Sequence, residues 1–296
     1  MSEVVVIGSI NVDRSVSVPG APLRGATLLG GGVRRGPGGK GANQAVALAR
    51  LGRSVAMIGA VGNDADGDWM LSILAEEGID VSGVVRVPDP TGQAFIFVES
   101  DGESTIVVSP GANSALTPEL LDNSRDAIAS ARCVLVQQEI PSATVERAAE
   151  LAEGIFVLNP APARPVSEEL LARVDVLVPN RFELAGLTGG LVPQSTDDVA
   201  RMALAFGGSQ AVVVTLGSDG AVVAEAGVAS EVPATRVEAV DATAAGDTFC
   251  GALVDALLDG MSLVGASAWA SRAAAFAVSR HGAQESIPYR ADVVDN

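Results

Sequence analysis

The chain is short of the residues from which many reactive sites are built. It has one histidine, His281, and two cysteines, Cys133 and Cys250. One histidine excludes a multi-histidine zinc site. A Ser-His-Asp mechanism would have to use His281 itself, and no G-x-S-x-G elbow accompanies it. Two cysteines in apolar surroundings make no disulfide framework and read as buried thiols. Aromatic residues are only 3% of the chain, which leaves little material for a nucleobase pocket. Positive charge is scarce: 19 Lys and Arg against 36 Asp and Glu give a net charge of -17. That balance disfavours nucleic acid and anionic membrane surfaces as partners, although a small phosphorylated ligand needs only a local positive site. No apolar run reaches the roughly 18 residues that span a bilayer. The N-terminal Met1-Ser2-Glu3-Val4-Val5-Val6-Ile7 lacks the basic flank and cleavage site of a signal peptide. The expectation is a cytoplasmic protein.

What is present is a chain of 296 residues, 48% hydrophobic and 19% charged, enough for one large or two small domains with a sizeable core. Compact apolar runs at Val4–Ile7, Val55–Ile58, Val134–Val136, Ile155–Leu158, Val176–Val178 and Ala211–Leu216 read as strands buried on both faces of a mainly parallel sheet. Helical patterns alternate with them: Gly41–Leu51, Asp66–Glu77, Pro118–Ala131, Ala143–Ala152, Thr196–Phe206, Ala245–Leu258 and Leu263–Arg280. The alternation predicts a three-layer α/β/α core, with a (β/α)8 barrel as its structural competitor. Two regions break it. Residues 12–38 hold Pro19, Pro22, Pro37 and the cluster Gly30-Gly31-Gly32. Residues 84–110 read as short strands, Val84–Val87, Ala94–Val98 and Thr105–Val108, with a hairpin turn at Asp101-Gly102. Together they predict a small β-sheet lid within one domain spanning 1–296; the plainer alternative is a pair of surface hairpins.

Three segments carry candidate chemistry. In Asp241-Ala-Thr-Ala-Ala-Gly-Asp247 two carboxylates bracket small residues that open a helix. The first turn of a helix leaves N–H groups free to hold an anion, and a carboxylate beside it can take a hydroxyl proton. That pairing suits phosphoryl transfer from ATP to an alcohol; the alternative is an Asp-capped helix. Gly36-Pro37-Gly38-Gly39-Lys40-Gly41 fits G-x-G-x-x-G, yet Arg34-Arg35 precede it in place of an apolar strand, and Gly41 stands where a Walker A loop needs Ser or Thr. It reads instead as a substrate loop, with Lys40 as cation and Asn43 offering both donor and acceptor to sugar hydroxyls; the plainer alternative is a glycine-rich turn that starts a helix, with Lys40 in solvent. Asn11 and Asp13, just past the first strand, would point the same way in an extended segment, at the strand end that faces the crevice of an open α/β sheet. A local turn is the alternative there.

Gly38-Gly39-Lys40-Gly41-Ala42-Asn43-Gln44-Ala45 and Asp241 to Leu253 resemble the two signatures of the ribokinase family of carbohydrate kinases. Ser9 to Asp13, Gly111-Ala112-Asn113, Gln138-Glu139, Asn159 to Ala163, Asn180 to Glu183, Thr215 to Ser218 and Gly282-Ala283-Gln284 extend the likeness, in order, over essentially the whole chain. The resemblance is strongest to the members that phosphorylate ribose. It implies ATP-dependent phosphorylation of D-ribose at its 5-hydroxyl. Asp247 would be the base, and the backbone of Ala244, Ala245 and Gly246 the anion hole. Asn11, Asp13, Gly39, Lys40, Asn43 and Glu139 would hold the sugar. Asn180 and Glu183 would organise Mg²⁺ and phosphate through water. Thr215, Gly217, Ser218 and Gly220, with Gly246 and Ser271, would line the ATP site. A monovalent cation, potassium, would lie near Asp241, Thr243, Ala277, Arg280, Gly282 and Ser286. The resemblance also implies a homodimer formed through the lid. Departures are Ser271, where a longer polar residue is common beside the adenine, Ala242 for Thr, Cys250 for Asn, and a segment Gly30–Pro37 unusually rich in Gly and Arg. Other kinases of the family, acting on fructose, keto-deoxy sugars or adenosine, are the alternative activity. A ligand-binding regulator without catalysis is the alternative class.

Overall fold

The computed structural model describes residues 2–22, 24–25, 27–99, 104–206 and 211–294. Its strands are β1 (Val4–Ile7), β2 (Asn11–Ser17), β3 (Arg34–Gly38), β4 (Val55–Gly62), β5 (Asp80–Val87), β6 (Gly92–Val98), β7 (Ser104–Ser109), β8 (Cys133–Gln137), β9 (Ile155–Asn159), β10 (Val176–Leu177), β11 (Ala211–Thr215), β12 (Ala221–Glu225) and β13 (Val228–Val232). Nine of them form one sheet in the order β13-β12-β11-β10-β9-β8-β1-β4-β5, and four form a second in the order β3-β2-β6-β7. The large sheet is open, with β5 and β13 at its edges, so it is not a barrel.

Strand period and burial explain the layers. Val4 and Val6 face one apolar cluster with the helices Lys40–Arg50, Ala65–Glu76, Ala245–Leu258 and Leu263–Val278. Val5 and Ile7 face the other cluster, with helices Ser142–Leu151, Arg181–Thr188 and Thr196–Ala205. Successive strand residues point to opposite faces, so a run with no polar residue needs helices on both sides. β1 pairs in parallel with β4 on one side and β8 on the other. Chain order reverses there, which opens a crevice at the carboxyl ends of the strands.

The structure departs from the sequence reading in three places. Val84–Val87 is not part of the small sheet: it belongs to β5, which pairs in parallel with β4 at the edge of the large sheet. Its half-buried pattern is that of an edge strand covered on one side. Pro118–Ala131 is two short helices, Pro118–Asp122 and Arg125–Ser130. The break falls at Asn123-Ser124, whose side chains compete for backbone hydrogen bonds. The antiparallel hairpin of β12 and β13 follows Ala211–Thr215 where no strand was expected, turning through Ala226 and Gly227, both at positive φ. In the small sheet β2 is an inner strand, antiparallel to β3 and parallel to β6, and β6 is antiparallel to β7. The expected turn Asp101-Gly102 lies outside the described residues.

Candidate active site

Three residues join β1 to β2, and the fold crowds them. At Gly39, φ is +92°, and a Cβ there would lie 2.7 Å from the Asn11 N and 2.8 Å from the Ser9 carbonyl oxygen. A Cβ on Gly41 would lie 2.7 Å from the Gly8 carbonyl carbon. Only glycine lets the helix Lys40–Arg50 begin against this connection. Glu139, just past β8, closes the corner: its Oε2 accepts from Ser9 Oγ at 2.5 Å and from the Lys40 N–H at 3.3 Å. Asn11 is buried, and its Oδ1 accepts from Asn113 Nδ2 at 2.7 Å, while Asn113 Oδ1 accepts from the Ile10 N–H at 2.9 Å.

Asp13 sits against Gly38, where a Cβ would come within 2.2 Å of its Oδ1. Burial, then the neighbouring carboxylates of Glu139, Asp247 and Glu285, push its pKa up to about 7. The Lys40 pKa is raised as well: the charge of Asp247 first, then Glu139 and Glu183, outweigh burial and hold its ammonium protonated. Several acidic groups, Asp13, Glu139 and Asp247 among them, and one cation therefore act on one another around the residues expected to hold sugar.

Asp247 enters from the far end of the chain. Its helix, Ala245–Leu258, follows Ala244, a non-glycine residue at φ +60°, and no side chain caps it. A Cβ on Gly246 would meet nothing within 4 Å. The N-terminus thus opens onto free space beside a carboxylate, an arrangement that suits an anion. Asp247 is buried and doubly held: Asn43 Nδ2 donates to its Oδ2 and Gln44 Nε2 to its Oδ1, each at 3.0 Å.

The residues expected to hold nucleotide come from other elements. Asn180 and Thr215 form a parallel bridge at the carboxyl ends of β10 and β11. Asn180 and Glu183 make a capping box for helix Arg181–Thr188: Glu183 Oε2 accepts from the Asn180 N–H at 2.8 Å and its Oε1 from Asn180 Nδ2 at 2.9 Å. They are half-buried, and burial raises the Glu183 pKa. Gly217 and Gly220 frame a short turn holding Ser218, both at positive φ. At Gly220 a Cβ would lie 2.1 Å from the Val232 carbonyl oxygen. Ser271 is buried in helix Leu263–Val278, which packs near β12 and β13.

Asp241 ties two loops together. Its Oδ1 accepts from the Thr243 N–H at 2.9 Å and its Oδ2 from the Gly282 N–H at 3.0 Å. Although burial opposes ionisation, these bonds lower its pKa. Ala277 lies in the last turn of helix Leu263–Val278, its carbonyl accepting from the Arg280 N–H. The Arg280 guanidinium lies 4.0 Å over the Phe276 ring, and Ser286 Oγ donates to the Ala283 carbonyl at 2.8 Å. His281 is exposed.

Comparison with known proteins accounts for this convergence. The model of the pfkB family of carbohydrate kinases matches residues 1–290. The chain belongs to that family. It is 42% identical over 295 residues to the ribokinase of Haemophilus influenzae, covering 98% of this chain and 96% of that protein. The fold is similar to the ribokinase of Thermotoga maritima, with a TM-score of 0.91, 35% identity, and coverage of 100% and 99% of the two chains. It is also similar to the Arabidopsis thaliana ribokinase complexed with ribose and ATP, with a TM-score of 0.90, 32% identity and coverage of 99% and 98%.

Within this family member, side-chain amides that motif reading passed over meet the predicted residues. Gln44 binds Asp247. Asn159 and Gln137 bind Gln44, and Gln284 Nε2 donates to Asn43 Oδ1 at 3.2 Å. Gln44 stands inside the signature, yet only its burial and its partner reveal it.

Proposed function

We propose that this carbohydrate kinase transfers the γ-phosphoryl group of ATP to the 5-hydroxyl of D-ribose, giving D-ribose 5-phosphate and ADP. The observation that carries the reading is the 3.0 Å hydrogen bond from Asn43 Nδ2 to Asp247 Oδ2. It joins the N-terminal sugar motif to the C-terminal anion motif at one point. Asn11, Asp13, Gly39, Lys40, Asn43 and Glu139 bind the sugar hydroxyls. Asp247 accepts the hydroxyl proton as the new O–P bond forms and the bond to ADP breaks, which suits a loose transition state. The N–H groups of Ala244, Ala245 and Gly246 steady the charge on the moving phosphoryl group. Thr215, Gly217, Ser218, Gly220 and Ser271 hold the nucleotide.

Mg²⁺ arrives with the nucleotide in this reading. Among the described residues no group of three or more His, Cys, Asp or Glu could hold a metal ion. Magnesium bound through phosphates needs only one or two carboxylates, and Glu183 and Asn180 supply water-mediated contacts. Potassium fits the two loops joined by ionised Asp241, with oxygen donors from Thr243, Ala277, Arg280, Gly282 and Ser286. When bound, it would stiffen the connection that ends in Ala244. The small sheet serves as the lid, and two copies pair through it. Ile106, Val107 and Val108 on edge strand β7, with Phe95 beside them, are exposed apolar residues that pairing would cover. The reaction runs in the cytoplasm, where ATP is available and the free thiols of Cys133 and Cys250 stay reduced.

An ADP-release assay over ribose, 2-deoxyribose, fructose and adenosine, with and without potassium, tests the assignment. Ribose should dominate and potassium should activate. Fructose turning over as well as ribose would refute the sugar, and normal turnover by Asp247→Asn would refute the base. Light scattering at micromolar concentration should give a dimer.

A further inference from the structure

A buried chain of side-chain amides runs from Asp247 to the main chain, and its direction follows from one carbonyl. The Val178 carbonyl can only accept, so the group 2.8 Å away must be Asn159 Nδ2. Asn159 Oδ1 then faces Gln44, so the partner at 3.2 Å is Gln44 Nε2. The second hydrogen on that nitrogen points to Asp247 Oδ1 at 3.0 Å. Gln44 Oε1 is left facing Gln137 and accepts from its Nε2 at 2.6 Å. Both hydrogens of Gln44 and its oxygen are thereby engaged, and the side chain is fully buried. Gln137 turns its amide to Gln44 even though its own buried Oε1 is left without a partner. An unpaired buried oxygen is costly, so the orientation is imposed by the chain rather than chosen by Gln137.

We propose that Gln44 is the positioning residue of the base: it fixes the rotation of the Asp247 carboxylate and keeps one oxygen supplied with a donor, without touching the substrate. This rests on Asp247 being the base. Asn43 holds the other oxygen from the sugar side, so the two neighbouring amides divide the carboxylate between them. Asn43 reports substrate, whereas Gln44 reports the protein interior. A hydrogen bond to a carboxylate favours its ionised form, and a base held in one rotation meets the hydroxyl in the productive geometry.

The test uses the full-length protein and Gln44→Leu, which keeps bulk and removes both donors. The expected result is a fall in kcat of about 10- to 100-fold, the loss expected for a misplaced base, with ribose KM close to wild type. The acid side of the kcat–pH profile should move to higher pH. A folded Gln44→Leu with wild-type kcat and pH profile overturns the proposal. So does a parallel loss in kcat and KM with the profile unmoved, which marks Gln44 as packing alone. Gln137→Leu, which frees the Gln44 carbonyl, should show the same split and the same shift to a smaller degree; it decides the question if Gln44→Leu does not fold, and a wild-type profile there overturns the proposal. Asp247→Asn is measured alongside. Its retention of activity would remove the base assignment itself, a failure distinct from wild-type behaviour of the glutamine variants beside an inactive Asp247→Asn.

Discussion

Gly251 and Ala47 bring two helices together with no room for a further methyl group: a Cβ on Gly251 would lie 2.7 Å from Ala47 Cβ and 3.2 Å from the Gln44 carbonyl oxygen. This crossing sets Asn43 and Gln44 opposite Asp247, one turn earlier on the helix that carries Gly251. The spacing of the two helices in the core therefore also sets how Asn43 and Gln44 reach Asp247.

Gly251→Ala should overpack the crossing at a cost of about 1–3 kcal/mol and lower kcat with it. Thermal unfolding and steady-state kinetics check this together. Lost stability with an unchanged kcat would separate the crossing from the site.

Asp13 should make the ligand-free protein sensitive to pH. Its folded pKa, about 7, lies above the ordinary 3.8. The folded state therefore binds this proton more tightly than the unfolded state does, and the resulting stability is complete below about pH 4 and lost as pH rises through 7. Asp13→Asn should flatten that part of the unfolding profile and raise Tm at pH 8 while weakening ribose binding. Unfolding scans without sugar between pH 5 and pH 8.5, with calorimetry for ribose, measure both. An equal slope in the variant would show that another group is responsible.

Asp66 should govern how firmly the small sheet is seated. It pairs with Arg14 of β2 at 2.7 Å and with Arg35 of β3 at 2.5 Å, and the Arg35 guanidinium lies 3.8 Å over Trp69. Half-exposed pairs of this kind contribute about 0.2–1 kcal/mol each. Asp66→Ala should leave Tm almost unchanged and raise ribose KM severalfold, with a weaker dependence of KM on salt than in the wild type. Titration of initial rates at low and high salt settles it; an unchanged KM contradicts the coupling.

Asp255 should matter for stability alone. It is buried, accepts from Arg53 Nε at 2.6 Å and from Trp269 Nε1 at 3.1 Å, and also pairs with Arg290. Removing one member of a buried ionic cluster costs about 3–5 kcal/mol. Asp255→Ala should lower Tm sharply while the surviving folded enzyme keeps its ribose KM. A large KM change at a temperature where the variant is folded would assign Asp255 a role in the site.

The parts legible in the sequence are those whose signal is local. Val4–Ile7 and Ala245–Leu258 have the same bounds in sequence reading and structure, because one is an unbroken β-branched run and the other opens on small residues beside Asp247. Val84–Val87 was misassigned to the small sheet because a half-buried edge strand and a solvent-facing hairpin share one alternation. The hairpin of β12 and β13 was hidden because its strands continue a valine- and alanine-rich stretch with only Ala226-Gly227 to mark the turn. Gln44, Gln137, Asn159 and Gln284 escaped for a different reason. A neutral amide has no spacing rule, and its meaning comes from partners more than ninety positions away.

β2 begins at Asn11, with only three residues between it and the core strand β1, and it is an inner strand of the small sheet. Asn11 and Asp13, two of the side chains that would grip the sugar, therefore ride on the small sheet itself. In the proposed function recognition and closure would share one mechanical part, so a substitution that stiffens or loosens this sheet should register as a change in sugar affinity, even when it lies at the far end of β6. Evolution at such a site would be unable to retune the speed of a lid while holding the grip constant.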